Sequence, residues 1–308
     1  MTRRALWLKC LVPALMLVVA CGGESKESTS TAAVASTYPL TITQSDNQVL
    51  TIPQQPQRIV SLASHATEIF CAVGAESQLV AVERFANCPL GSSAKPQLDG
   101  FRPNLEAIAG YRPDLVYVSS DSGEVVQGLR RLGIPVLYLK LPATLDGVLE
   151  HVRLLGSAAG QANEAAALAA SMKGRLDAVK SRLASVSQGP RVYHELDTTY
   201  FSAAPNSFVG DFYTYLKAQN IAAGSATDYP QLSAEVIVQR NPEVIVLADE
   251  AAGITAATVK ARPGWSAIDA VKNDRICVVD PDIVSRPGPR IVDALDALAR
   301  CLYPDRFK

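Results

Sequence analysis

Apolar runs of four or five residues alternate with helical periodicity along most of the chain. Ile59–Leu62, Leu79–Val82, Leu115–Val118 and Val136–Leu139 are mostly continuous apolar stretches, the pattern of parallel strands covered on both faces. Helical patterns fill the intervals: from Ser64 or His65 to Val73 with Gly74 as a stop, Asn104–Gly110, and Gly123–Leu132 ending at Gly133. The rhythm resumes with strands at Arg191–His194, Val244–Leu247 and Ile276–Val279. Helices there are Ser207–Leu216, Ser233–Arg240 and Pro289–Leu302. A hairpin, Leu40–Thr43 and Val49–Ile52 around Ser45-Asp46-Asn47, precedes the first half. Between the halves, Gln161–Ser187 is rich in Ala, Leu, Lys and Arg, without Pro and with Gly174 as its single glycine. As one helix it would be ~40 Å long and would resist hinge bending.

The halves echo each other. Glu106-Ala-Ile-Ala-Gly-Tyr-Arg-Pro113-Asp-Leu-Val-Tyr-Val118 matches Glu235-Val-Ile-Val-Gln-Arg-Asn-Pro242-Glu-Val-Ile-Val-Leu247. Asn104 and Ser233 stand two positions before the glutamates as helix caps. Each glutamate complements a helix dipole, a contribution of about 0.3–1 kcal/mol, which leaves room for a second role.

The N-terminus has its own pattern. Arg3, Arg4 and Lys9 precede an apolar run from Leu11 to Ala20, broken at Pro13. That run is shorter than the ~20 residues a bilayer span needs, so it reads as a signal peptide. It ends Val18-Val19-Ala20-Cys21-Gly22-Gly23, which looks like a bacterial lipobox with Cys21 as the lipidated residue. Glu24–Thr37, rich in Ser, Thr and Ala, cannot bury enough apolar surface to order itself and reads as a tether. The expected organisation is signal peptide 1–20, tether 21–37, N-terminal lobe 38–145, helical connector 146–188 and C-terminal lobe 189–308. The fold class is α/β: two doubly wound lobes with mainly parallel sheets, joined by one long helix, with a ligand cleft between them.

Charge and cysteines narrow the function. The chain has 29 Lys+Arg and 30 Asp+Glu; without Arg3, Arg4 and Lys9 the balance is 26 against 30, net −4. That gives no electrostatic case for nucleic acid. Cys71, Cys88, Cys277 and Cys301 form an even set, which in an exported chain suggests disulfides. Of three connectivities, Cys71–Cys88 with Cys277–Cys301 closes a short loop within each half. No G-x-S-x-G, P-loop, G-x-G-x-x-G or H-E-x-x-H occurs, and His194 and Glu195 would point to opposite faces of a strand. With three histidines, His65, His151 and His194, and His151 expected in a helix away from the loops, a bare metal site is not expected.

Arg58-Ile-Val-Ser-Leu, Thr67-Glu68-Ile, Asn104-Leu-Glu-Ala-Ile, Arg112-Pro-Asp-Leu-Val, Ser233-Ala-Glu, Arg262-Pro-Gly-Trp265 and Arg286-Pro-Gly-Pro-Arg290 carry a resemblance. From about Arg58 to Phe307 the chain resembles the periplasmic binding proteins for cobalamin and for iron-siderophore or haem complexes that serve ATP-driven importers. The resemblance implies a monomeric, non-enzymatic envelope protein without a cofactor of its own. It would be lipid-anchored on the periplasmic or extracellular face and partnered by permease and ATPase subunits. It also implies that Glu106 and Glu235 dock against permease arginines.

Ligands of doubly wound sheets sit beyond the C-terminal strand ends. The loops there are Ser64–His65, Glu83–Phe85, Asp99–Arg102, Ser119–Ser122, Leu196–Phe201, Asp249–Glu250 and Asp282–Arg286. They offer Phe85, Phe101, Tyr200 and Phe201 as flat surfaces and Arg102, Glu83 and Arg286 as polar anchors, with His65 nearby. Phe85 and Phe201 serve equally well as lobe core on sequence grounds. Trp265 is expected to pack within the second lobe, and Arg58 and Arg191 to make structural ion pairs. Few cleft arginines and several aromatics suit a corrinoid, as do Tyr193-His-Glu-Leu-Asp197 and Pro205-Asn-Ser-Phe208, which resemble the cobalamin branch. A ferric siderophore or haem, the latter with Tyr200 or His65 as axial ligand, is the alternative.

Overall fold

The computed structural model describes residues 37–308 apart from 87, 89–94, 122–123 and 250–252. The signal segment, Cys21, the tether up to residue 36, Ser122, Gly123 and Glu250 lie outside the described residues.

An antiparallel hairpin, β1 (Leu40–Thr43) and β2 (Val49–Ile52), pairs Leu40 with Ile52. The first lobe follows as β3 (Ile59–Ser61), α1 (Ser64–Ala72), β4 (Leu79–Glu83), β5 (Gln97–Leu98), α2 (Leu105–Gly110), β6 (Leu115–Val118), α3 (Val125–Arg131) and β7 (Val136–Tyr138). Its strands are parallel in the order β5-β4-β3-β6-β7. Every residue of β3, β6 and β7 is buried, which is why these strands carry no polar alternation. Two helices then follow, α4 (Leu145–Ala158) and α5 (Ala162–Arg182).

The second lobe comprises β8 (Arg191–Glu195), α6 (Phe208–Tyr215), β9 (Gln219–Asn220), α7 (Ala234–Arg240), β10 (Val244–Leu247), α8 (Ala256–Lys260), α9 (Asp269–Lys272), β11 (Ile276–Val278), α10 (Pro281–Val284) and α11 (Ile291–Leu302). Its strands are also parallel, ordered β11-β10-β8-β9. Asn104, Ser207 and Ser233 each cap a helix by accepting a backbone N–H three residues on, as expected of these side chains.

The core has a consequence for motion. One apolar cluster lies outside each sheet: Val60, Ile108 and Leu129 with their neighbours in the first lobe, Tyr193, Ile237 and Trp265 with theirs in the second. The inner cluster is shared. It runs from Phe70 and Leu79 through Val152, Met172 and Leu176 to Phe212, Leu295 and Leu298, so α1, α4, α5, α6 and α11 form one continuous apolar layer under both lobes. Each such side chain contributes about 1.5–3 kcal/mol by burial, and opening the lobes would expose part of that layer.

Several expectations change in detail. The long helix stops at Arg182 rather than continuing to Ser187, so its 21 residues span about 32 Å. Lys217 Nζ donates to the carbonyls of Leu183 and Val186 beyond its end. Arg58 makes no ion pair among the described residues; its guanidinium donates to the Tyr111 and Arg112 carbonyls. Arg191 is ion-paired as expected, to Glu243 at 3.3 Å and Asp269 at 3.5 Å. His151 is in α4, yet its ring lies 6.2 Å from that of His65, because α4 packs on α1. Both disulfides form with the short-loop pairing: Cys71–Cys88 ties the end of α1 to the segment after β4, and Cys277–Cys301 ties β11 to α11.

Candidate functional site

A cavity of about 490 Å³ opens where the C-terminal ends of β3, β4 and β6 face the α10–α11 turn of the other lobe. The first lobe contributes Leu62 to His65, Glu83, Phe85, Gly100, Phe101, Ser119 and Ser120. The second contributes Asp282, Ser285, Arg286 and Pro287, and Leu141 stands between.

Two aromatic rings wall the first-lobe side. Phe85 is 54% and Phe101 65% exposed, so neither is lobe core. Each is held through its backbone. Glu83 Oε2 accepts the Phe85 N–H at 3.0 Å and the Ser64 hydroxyl. Asp99 Oδ1 accepts the N–H groups of Arg102 at 3.0 Å and Phe101 at 2.8 Å, and these bonds hold its carboxyl below the usual range. Arg84 lies 4.8 Å over the Phe85 ring and pairs with Asp99 at 3.4 Å. Gly100 is required where it stands: a Cβ there would meet Glu83 Cγ and come 2.8 Å from the Leu62 carbonyl.

The second-lobe wall is an ionic latch. Glu68, 1% exposed on α1, accepts Arg290 Nη2 at 2.6 Å and Arg290 Nε at 3.2 Å, and pairs with Arg286 Nη1 at 3.4 Å. Arg286 Nη2 also meets Asp282 at 2.7 Å. A buried carboxylate of one lobe is thus neutralised by two arginines of the other, and Arg286 reaches the cavity already engaged. Gly288 permits the approach, since its Cβ would lie 3.1 Å from Glu68 Oε2.

His65 lines the cavity but is 4% exposed, with Nε2 3.0 Å from the Tyr117 hydroxyl. Burial, reinforced by His151, lowers its pKa to about 3, so the imidazole is neutral. Arg102, Tyr200 and Phe201 are not among the cavity-lining residues. Arg102 is exposed. Phe201 bridges to Gln231 at the second lobe's surface. Tyr200 adopts a left-handed backbone, φ 69, with its ring 5.7 Å from Trp265 and 5.1 Å from the Arg262 guanidinium.

That arginine belongs to a second buried ionic group, at the C-terminal ends of β8 and β10. Glu195 is fully buried and receives both Arg262 amino groups, at 2.6 and 2.5 Å. Asp249 is 5% exposed and its two oxygens have no hydrogen-bond partner among the described residues. Burial and the charge of Glu195 raise its pKa to about 6. Thr67-Glu68 and Arg286 to Arg290 stand out as separate motifs in the sequence, and only the fold brings them together. Nothing local in the sequence marks Asp249 as buried or links Glu195 to Arg262, which stand 67 residues apart.

Glu106 and Glu235 occupy equivalent places, exposed in the first turns of α2 and α7. Its own backbone N–H and the Ser233 hydroxyl lower the pKa of Glu235, so that carboxylate is charged.

Residues 59–283 match the model of the periplasmic binding protein family. An uncharacterized ABC transporter substrate-binding lipoprotein of Bacillus subtilis, YvrC, is 32% identical over 99% of both chains. A cobalamin-binding protein of Halobacterium salinarum is 30% identical over 87% of this chain and 75% of its own. The crystal structure of the vitamin B12 binding protein BtuF of Vibrio cholerae superposes with a TM-score of 0.72 at 26% identity, covering 83% of this chain and 100% of that one. The haem-binding protein RhuT of Roseiflexus gives 0.71 at 25% identity, covering 82% and 99%. The chain therefore belongs to the periplasmic binding protein family, and it is a solute-binding protein rather than an enzyme.

Proposed function

We propose that this protein is the lipid-anchored substrate-binding component of an ABC importer, held to the membrane through Cys21. It captures cobalamin or a closely related corrinoid between its lobes and delivers it to the permease. The observation that carries the reading is the interlobe cavity, walled by the exposed rings of Phe85 and Phe101. Its single lining arginine among the described residues, Arg286, is already paired across the lobes to Glu68 and within its own lobe to Asp282. Exposed aromatic faces with few placed polar groups suit a large planar ligand. An anionic siderophore would want arginines directed into the cleft. Haem would want an axial donor, whereas the His65 Nε2 nitrogen faces Tyr117 and Tyr200 packs on Trp265. The cobalamin-binding relatives point the same way. Calorimetric titration of the purified protein with cyanocobalamin, haemin and a ferric hydroxamate tests the reading. One-to-one saturation by cyanocobalamin supports it; saturation by haemin or the hydroxamate alone replaces the ligand and keeps the class.

In the same reading Glu106 and Glu235 dock against permease arginines. Charge reversal, Glu106→Arg with Glu235→Arg, replaces a pair with a like-charge contact at a cost of several kcal/mol. Uptake should fall to background while ligand affinity is unchanged. Normal uptake by the double variant would remove the docking role.

A further inference from the structure

The cavity carries one charge that no described residue neutralises. Glu83 is 4% exposed and lines the cavity floor at the end of β4. Its Oε2 accepts a hydroxyl and an amide N–H, bonds that are stronger to a charged carboxylate than to a neutral acid, while its Oε1 is buried with no hydrogen-bond partner among the described residues. A buried charge ordinarily has an ionic partner, and Glu83 forms no ion pair among the described residues. Arg84, next in sequence, pairs with Asp99; Arg286, across the cavity, pairs with Glu68 and Asp282; and Arg102 is exposed and outside the cavity lining. No undescribed residue between positions 87 and 252 is basic. The remaining lining carboxylate, Asp282, is matched by Arg286. Among the described residues, the cavity is therefore apolar and aromatic around one uncompensated negative charge.

We propose that Glu83 sets the charge class of the ligand: the cavity takes a chelate that is neutral or cationic on the side facing Glu83, and rejects one carrying a carboxylate there. The proposal rests on the reading of the cavity as a chelate site. A buried charge is poorly screened. At an effective dielectric of about 20 and a separation of about 6 Å, one added ligand charge shifts affinity about 100-fold. Neutral amide-bearing and ammonium-bearing chelates satisfy the filter; carboxylate-rich ones do not.

The test is a charge series on fixed scaffolds, titrated into the full-length protein in detergent. One scaffold is cyanocobalamin, its monocarboxylic acid and an aminoethylamide of that acid. The other is ferrioxamine B with its N-acetyl and N-succinyl derivatives. Within a scaffold that binds, the expected order is cationic, then neutral, then anionic, with the anionic member weaker than the neutral one by 10-fold or more. Glu83→Gln, which retains an acceptor oxygen for Ser64 and Phe85, should collapse the series to within about 3-fold by removing the charge. A flat wild-type series, or an order that survives in Glu83→Gln, overturns the charge filter and leaves the binding reading intact. Failure of every member of both scaffolds to bind the wild-type protein overturns the binding reading and the filter with it. The wild-type order decides the matter even where the variant folds poorly.

Discussion

Two buried glutamates, Glu68 and Glu195, meet arginines in different company. Glu195 is paired inside its own lobe: Arg262 reaches it with both amino groups, and the arginine is itself 12% exposed and packed on Trp265. Glu68 is paired across the cleft with Arg286 and Arg290, whose side chains are 17% and 24% exposed. The same chemistry therefore does two jobs. The enclosed pair fixes the inside of one lobe, while the more hydrated latch fixes how the lobes sit together. Its arginines can recover water when the carboxylate is lost, and Arg262 of the enclosed pair cannot.

The contrast predicts an order of effects. Removing the enclosed carboxylate, Glu195→Gln, should cost the most, about 4 kcal/mol, because it strands a buried arginine. Urea denaturation would register it, with ligand affinity unchanged in the folded fraction. Removing the latch carboxylate, Glu68→Gln, should cost less, about 2–3 kcal/mol, since hydration of Arg286 and Arg290 offsets part of the loss. It should also weaken ligand binding and speed amide exchange in α1 and α11. Equal costs, or a Glu68 effect without any change in binding, would dissolve the distinction.

The smallest effect concerns pH. Asp249, beside Glu195, has a folded pKa of about 6 against an ordinary 3.8. Its contribution is fully present below pH 3.8 and is lost as pH rises through 6. His65 and His194, each lowered to about 3 from 6.5 by burial, act with the opposite sign: their contribution is present above pH 6.5 and fades as pH falls toward 3. Asp249→Asn should therefore be more stable than wild type at pH 7, with the gap closing by pH 4. A gap in urea midpoint that does not vary with pH would mean that Asp249 titrates normally.

These ionic groups also mark the edge of what the sequence made legible. β6, β10 and the hairpin were readable to the residue, because continuous apolar runs and an Asp-Asn turn are local signals. The two-residue edge strands Gln97–Leu98 and Gln219–Asn220 were not, since pairing at a sheet edge needs little apolar side chain. Phe85, Phe101, His65 and Arg286 were found from their place at strand ends or in the Arg286 to Arg290 motif, and all line the cavity. Tyr200 and Phe201 obeyed the same rule and were sent elsewhere by backbone: a left-handed turn at Tyr200 lays its ring on Trp265. The latch joins positions 218 and 222 apart, beyond any spacing argument in one sequence.

The shared apolar layer beneath both lobes has a kinetic corollary. A receptor that barely changes outline when it fills presents nearly the same face empty or loaded. Under the proposed function, empty copies would compete with loaded ones for the same permease. Throughput would then follow fractional occupancy of the receptor pool, and the importer would discriminate by touching the ligand itself through the open mouth of the cavity.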